Sequence, residues 1–486
     1  MFEIVSPQSV GIPSRNVEQF LNYLNDHDLA THSVMLVKGD KVFCEAYWKP
    51  FTAETLHRMY SQTKSFVGIA ICHLISQNKI GLHDKIVDYF KDCLPAKVPA
   101  ELQCQTIEDM LSMKTCMKDN YWFDENVTDR VKYYFHCTPK KMPNTQYFYD
   151  SDASFILSVL VERITGQKIL DYLRDVCLEE IGFSKDAKML SCAGGYPWGD
   201  SGLICRTEDI CRFARLLANG GAWNGKQLLE KETVSMAIEC HTDTSVETHP
   251  YSQSGYGYQI WKNPTGGFSF LGMHGQYMHY DPKTDIIFAC TSGNKSGNSG
   301  QIIFDGLEKF IFGAKSEPLP ENSEEYMQLK TMIANLSLLS LHGAERSEIE
   351  TAINENKYFL SENPMGIEWI MFNFSDTVVR IEYQNEQGIK HIICGRNRNC
   401  LQRFPQTGYS RAVGGSDSPG NTYECVASAT WQADNILIAK IQIVDEYIGI
   451  LDMKFEFEKK HLAITMEKNA ENFLKEYDGK AIANMR

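Results

Sequence analysis

One break in apolar periodicity constrains this chain more than any other feature. Around residues 313–325 the sequence reads GAKSEPLPENSEE, rich in Pro, Glu and Ser and without periodicity, the composition of a linker. Beyond about residue 355, apolar residues recur at every second position: Val379, Ile381 and Tyr383; Leu437, Ala439, Ile441 and Ile443; Met453, Phe455 and Phe457. The polar residues between them face the other way, as in half-buried antiparallel strands. Before the break, strand and helix signals are mixed. A chain of 486 residues also exceeds the about 250–300 residues at which a single core usually stops growing. Two domains are therefore expected: an α/β (α+β) domain over 1–314 and an all-β sandwich or small barrel over 346–486. Residues 315–345 would join them, with a short helix over 324–339.

Within the first part, HSVMLVKGDKVFCEAYW (32–48) reads as two strands around a Gly39-Asp40 turn. The stretch 61–78 is apolar on nearly all sides (Phe66, Val67, Ile69, Ala70, Ile71, Leu74, Ile75), which describes a helix buried in a core. Further helices are expected at 154–164, 167–178, 208–219 and 300–312, and strands at 256–262, 267–271, 276–281 and 285–291.

A formal charge of -14 argues against a nucleic-acid or anionic-membrane surface. No apolar run has the length of a transmembrane helix, and the start MFEIVSPQSVGIPS lacks a basic region followed by an apolar core. The fifteen cysteines are odd in number, scattered, and form no Cys-x-x-Cys, so reduced thiols in a cytoplasmic setting are expected. No His-Glu-x-x-His is present, and neither a metal nor another cofactor is called for.

The spacing Ser-x-x-Lys occurs three times. Ser76/Lys79 closes the 61–78 helix, where a lysine complements the negative end of the dipole. Ser292/Lys295 lies in the polar loop TSGNKSGNSG. Ser61/Lys64 opens the buried helix, where free N–H groups favour developing negative charge and residues three apart share a face. An ammonium held there is disfavoured, so Lys64 becomes available as a neutral base. Taken alone, such a pair is more often a helix cap and a snorkelling lysine.

Two further stretches give it a context. PNTQYFYDSDASFILSVLVERITGQ (143–167) contains Tyr149-Asp150-Ser151 before a helix, and GYGYQIWKNPTGGFSFLGMHGQYMHYDPKTDIIFACTSG (255–293) contains Gly272-Met273-His274-Gly275-Gln276 at a strand entry. Together the three stretches resemble the penicillin-recognising serine hydrolases: class C β-lactamases, D-alanyl-D-alanine carboxypeptidases and related esterases and amidases. Those carry Ser-x-x-Lys, a Tyr-x-Asn or Ser-x-Asn element and a Lys/His-x-Gly strand in this order. The segments GLHDKIVDYF, TIEDMLSMKT and SGLICRTEDICRFARLLANGGAWNGKQLL resemble the family too, so the likeness spans roughly 5–312.

The resemblance implies an antiparallel sheet flanked by helices with an all-helical lobe. It makes Ser61 the nucleophile, Lys64 its base and Tyr149 a proton carrier to the leaving group. The N–H groups of Ser61 and Gln276, the residue after Gly275, would form the oxyanion hole. Two positions depart from the family pattern. Ser151 stands where many relatives have asparagine, and Met273 where a cationic or imidazole side chain is usual; a frame shifted by one would instead start the motif at His274. Without a lysine there, a substrate carboxylate loses a partner. The expected activity is thus ester or amide hydrolysis through an acyl-Ser61 intermediate. The alternatives are a β-lactamase or D-amino-acid peptidase, an acyltransferase to an alcohol or amine, and a non-catalytic binding or sensor protein on the same fold. No Gly-x-Ser-x-Gly elbow supports an α/β-hydrolase. Tyr121, Trp122, Tyr196, Trp198 and Trp261 are candidates to line a pocket, although aromatics are more often core. The expected partner is a small ester or amide substrate, neither nucleic acid nor membrane, and the oligomeric state is open.

Overall fold

The computed structural model describes residues 2–119, 126–295, 297–313, 317–407, 422–470 and 474–486. The chain divides into two compact units, one running to Leu336 and the other starting at Ser337.

In the first unit the expected hairpin forms between β2 (Thr31–Lys38) and β3 (Lys41–Tyr47), with Gly39 at φ 58 supplying the turn. Five more strands join it: β1 (Glu3–Ile4), β4 (Trp261–Lys262), β5 (Phe268–Gly272), β6 (Gln276–Asp281) and β7 (Ile286–Ser292). Among the described residues the sheet order is β1-β3-β2-β7-β6-β5-β4, antiparallel except for the β1/β3 pair. Residues 256–260, expected as strand, are not one. Gly255 (φ 111) and Gln259 (φ 65) turn the backbone, leaving only Trp261–Lys262 in the ladder.

Helices α1 (Ser14–Asp26), α2 (Thr63–Ser76), α3 (Ser151–Thr165), α4 (Thr207–Ala218), α5 (Lys231–Ile238), α6 (Ser299–Phe310) and α7 (Ser323–Asn335) surround this sheet. Successive strand residues face opposite sides. Accordingly His279 and Phe288 meet Phe304 of α6 and Phe20 of α1. On the other face, Phe270 meets Phe213 of α4. Phe213 in turn stacks on Phe66 of α2 at 3.9 Å, so the helix that carries Lys64 is wedged between the sheet's helical layer and a helical lobe. In that lobe α2 packs on α3 and α5. Phe66, Val67, Ile69, Ala70, Ile71 and Leu74 are buried, which answers the all-round apolar character of the stretch. Each large one contributes about 1.5–3 kcal/mol. Helix α7 packs on α1 and β3. The boundary therefore falls at 336/337 rather than near 314, because the polar helix expected to belong to a linker lays Leu329 onto the first unit.

The second unit is a barrel. Strands β8 (Lys357–Leu360), β9 (Trp369–Phe374), β10 (Val378–Asn385), β11 (Gly388–Arg396), β12 (Cys400–Thr407), β13 (Thr422–Ala433), β14 (Ile436–Ile443), β15 (Gly449–Glu458), β16 (His461–Ala470) and β17 (Gly479–Met485) pair in the order β11-β10-β9-β8-β17-β16-β15-β14-β13-β12. A parallel contact of β11 with β13, Gly395 opposite Ser428 and Arg396 opposite Ala429, closes nine of the described strands into a ring. Ile381, Phe372, Ile392, Leu437, Ile441, Phe455 and Ile464 are buried. The hydroxyls of Tyr383 and Tyr477 satisfy each other at 2.6 Å. Among the described residues no helix is long and apolar enough to cross a membrane.

Candidate active site

Ser61 sits in a tight turn, Tyr60–Gln62, that runs directly into α2. Tyr60 holds φ 49, a left-handed conformation that bulky residues adopt only under tertiary constraint. That constraint is visible. Met59 N–H donates to the Leu203 carbonyl at 2.8 Å, and Thr63 Oγ1 donates to the Tyr60 carbonyl at 2.6 Å while accepting from Leu203 N–H at 3.1 Å. Arg58, buried just before the turn, donates to the Ser201 carbonyl at 3.0 Å and to Ser201 Oγ at 3.1 Å. Its guanidinium lies over the rings of Tyr60 and Trp198 at 4.4 and 4.3 Å.

One turn on, Lys64 is 0% exposed and donates from Nζ to Ser61 Oγ at 3.0 Å and to the Asp200 carbonyl at 2.8 Å. Burial pulls its pKa down to about 8, with Arg130 pushing the same way and Asp200, Asp150 and Asp152 opposing. Tyr149 hydrogen-bonds Ser61. Its ring stacks on Trp261 at 5.5 Å and lies 5.1 Å from Lys64 Nζ. Burial raises the Tyr149 pKa, so its hydroxyl stays protonated. Lys64 and Tyr149, from two separate stretches, thus meet beside the Ser61 hydroxyl.

A buried ionic network backs this trio, and no pattern in the sequence points to it. Arg130 donates from Nε and Nη2 to Asp152 Oδ1 at 3.0 and 2.7 Å, and from Nη1 to Asp200 Oδ1 at 2.8 Å. The residue whose carbonyl holds Lys64 is thereby tied to the first turn of α3. Asp150 caps α3, accepting from Ala153 N–H at 3.1 Å and from Thr115 Oγ1 at 2.6 Å. Burial and then the Asp152 charge push its pKa up to about 7. Ser151 is buried in that same first turn.

The third predicted element is a helical turn, Met273–Gly275, leading directly into β6, the strand expected over 276–281. His274 adopts φ 60 and Gly275 φ 87. A Cβ on Gly275 would lie 2.2 Å from Ser292 Oγ, so only glycine fits. Gly272 is equally constrained: a Cβ there would meet the Met59 carbonyl at 2.4 Å, which places the start of the turn against the nucleophile's own turn. Ser292 Oγ donates to the His274 and Gly275 carbonyls at 2.9 and 2.8 Å, a structural role for the serine of that Ser-x-x-Lys pair. His274 Nδ1 contacts the Asn294 carbonyl at 3.1 Å, and its ring packs edge-on against Tyr60 at 5.4 Å. Met273 is 41% exposed. The buried Gln276 side chain bonds the Met273 and Ser292 carbonyls at 3.0 and 2.6 Å. The Gln276 N–H, expected in the oxyanion hole, donates to the Met273 carbonyl because the turn needs it. The N–H that opens such a turn, that of Met273, has no partner inside it.

Of the aromatic candidates, Trp198 is core beneath Arg58, Tyr196 lies edge-on to Phe155 at 6.2 Å, and Trp261 backs Tyr149. Tyr121 and Trp122 lie outside the described residues. All fifteen cysteines are free thiols. Among the described residues no group of three His, Cys, Asp or Glu side chains could hold a metal ion.

The chain is 23% identical over 282 residues to the 6-aminohexanoate-dimer hydrolase of Paenarthrobacter ureafaciens, a match covering 54% of this chain and 72% of that protein. Its fold is similar to that of EstCE1, a hydrolase with promiscuous acyltransferase activity (TM-score 0.50, 16% identity, 62% of this chain and 98% of the other). It is also similar to a penicillin-binding protein homologue from Caulobacter crescentus (TM-score 0.51, 13% identity, 64% of this chain and 99% of the other). Residues 14–302, which hold all three converging elements, match the family described as Beta-lactamase, and the chain belongs to that family.

Proposed function

We propose that this protein is a serine hydrolase that cleaves an ester or amide through an acyl-Ser61 intermediate. The observation that carries the reading is Lys64 Nζ at 3.0 Å from Ser61 Oγ, on a lysine with no exposed surface and a pKa drawn down to about 8. A serine hydroxyl needs an adjacent base to attack a carbonyl. Lys64 takes the Ser61 proton as the Oγ–C bond forms. The Ser61 N–H, in the turn that runs into α2, receives the developing oxyanion. Tyr149, held protonated by burial, hands a proton to the departing alcohol or amine and is reprotonated from Lys64. Water then enters by the same base and releases the acid.

An ester or amide substrate is also what the names of the relatives suggest: an aminohexanoate-dimer hydrolase, and a hydrolase with acyltransferase side activity. Acyl transfer is the second reading, favoured wherever an alcohol or amine outcompetes water for the acyl-enzyme. Labelling with a fluorophosphonate tests the first step: the probe should attach to Ser61 in the native protein and not after Ser61→Ala. Labelling that persists in Ser61→Ala would remove Ser61 from the mechanism.

A further inference from the structure

One fully buried side chain outside the trio ties together the segments that carry Lys64 and Tyr149. Gln259, in the turn before β4, is buried and has φ 65, a left-handed conformation that glycine adopts freely and a glutamine only at a cost. Its amide offers two N–H donors and an acceptor oxygen, and each has a partner. Nε2 donates to the Met110 and Leu111 carbonyls at 3.0 and 3.1 Å, and Oε1 accepts from Ser154 Oγ of α3 at 2.5 Å. The backbone joins in. The Gln259 N–H donates to the Leu111 carbonyl at 3.2 Å, and its carbonyl accepts from Ser65 Oγ, next to Lys64 on α2, at 3.0 Å. Further along α2, a Cβ on Gly68 would lie 2.2 Å from the Tyr258 carbonyl, so the helix sits directly against this turn. Three paths then lead from Gln259 to Tyr149. Met113, two residues beyond Leu111, accepts from the Phe148 N–H at 2.9 Å through its carbonyl and from the Asp150 N–H at 3.3 Å through its sulfur, which holds both chain neighbours of the tyrosine. Ser154 stands one turn into α3, the helix that starts two residues after Tyr149. Trp261, two residues after Gln259, stacks on the Tyr149 ring at 5.5 Å and packs with Met113.

We propose that Gln259 is a positioning residue for Tyr149, fixing the tyrosine against the Lys64-bearing helix so that its hydroxyl can hand a proton to the leaving group. The proposal rests on the Ser61–Lys64 reading above. On the α2 side the contact runs through the Gln259 backbone carbonyl, which any side chain preserves. On the tyrosine side the bonds to Met110, Leu111 and Ser154 run through the amide. Replacing the amide therefore loosens Tyr149 and leaves Lys64 in place. Proton transfer needs donor and acceptor within hydrogen-bond reach, and a misplacement of about 1 Å can cost about 10²-fold in rate. The loss depends on the leaving group. An alkoxide departs slowly unless it is protonated as the bond breaks, whereas p-nitrophenolate leaves as the anion. A side chain that only filled the core would affect both kinds of ester alike.

The test compares ethyl butyrate with p-nitrophenyl butyrate, which share an acyl group, on the full chain. Gln259→Met, close in size and without an amide, should lower kcat/KM for the ethyl ester by about tenfold or more and for the p-nitrophenyl ester by less than about threefold. Tyr149→Phe should show the same pattern with a larger loss. In the Tyr149→Phe background, Gln259→Met should add no further loss on the ethyl ester, since the group that it positions is gone. Equal losses on both esters, or a loss undiminished in the Tyr149→Phe background, make Gln259 a packing residue and overturn the proposal. Should Gln259→Met fail to fold by circular dichroism, Ser154→Ala decides: it removes one of the same hydrogen bonds and should move the ethyl-to-p-nitrophenyl ratio in the same direction. An unchanged ratio there overturns the proposal too. If p-nitrophenyl butyrate acylates Ser61 while the ratio stays unmoved, only the positioning role falls. If neither ester acylates Ser61, the catalytic reading falls and takes the positioning role with it.

Discussion

Ser61 and Lys64 were legible as a pair because a helix brings residues three apart together, but only the resemblance of three ordered stretches to a known family singled them out and added Tyr149. Their supporting residues were not. Arg130, Asp152 and Asp200 are ordinary charged residues until folding buries them together, and no spacing signals an ion triad spread over seventy positions. Replacing Lys64 with Arg, which stays charged, should lower kcat by about 10²–10⁴. Because the working form of Lys64 is the neutral amine and its folded pKa lies at about 8, kcat/KM should rise with pH and level off above that value. A profile flat from pH 6 to 9 would separate Lys64 from the reaction. At Gly275 the constraint is steric. Ala there combines a left-handed φ with a Cβ 2.2 Å from Ser292 Oγ, so Gly275→Ala should lower stability by about 1–3 kcal/mol or more, seen as a fall in Tm.

Among the elements, those with strong patterns were legible and those set by backbone conformation were not. The buried α2 and the hairpin of β2 with β3 follow from apolar periodicity and a Gly-Asp turn. The strand expected over 276–281 forms, but the left-handed conformations of His274 and Gly275, which make Met273–Gly275 a helical turn at its entry, leave no mark in the apolar pattern. The join between α3 and the Asp200 segment makes its own prediction. Arg130 lowers the Lys64 pKa and holds Asp200, whose carbonyl positions the amine. Arg130→Gln leaves two buried carboxylates without their cation, which typically costs about 3–5 kcal/mol. In whatever fraction folds, the acidic limb of kcat/KM should move to higher pH. Asp152→Asn removes a negative charge that raises the Lys64 pKa and should move the limb to lower pH. Limbs that stay in place in both variants would make the triad a purely structural feature.

At the scale of the molecule, the change in periodicity marks a mixed unit followed by a β unit. It placed the join too early, since a short helix looks the same whether it belongs to a linker or packs on a neighbour. Alternation alone also left sandwich and barrel equally open; closure depends on the β11–β13 pairing, which no local pattern records. Ser61, Lys64, Tyr149 and the ionic network beside them all lie before Leu336, so a chain ending there should fold and turn over p-nitrophenyl acetate. Loss of acyl-enzyme formation in a folded truncation would mean that the barrel supplies catalytic groups. With Met273 at the position of the usual cation, cephalosporin turnover should be weaker in kcat/KM than that of simple esters. The account stands or falls, however, on one covalent bond. After a brief pulse of p-nitrophenyl acetate and an acid quench, peptide mass spectrometry should find the acetyl group on Ser61 of the native protein. An acetyl group on any other side chain, or turnover undiminished in Ser61→Ala, would contradict it.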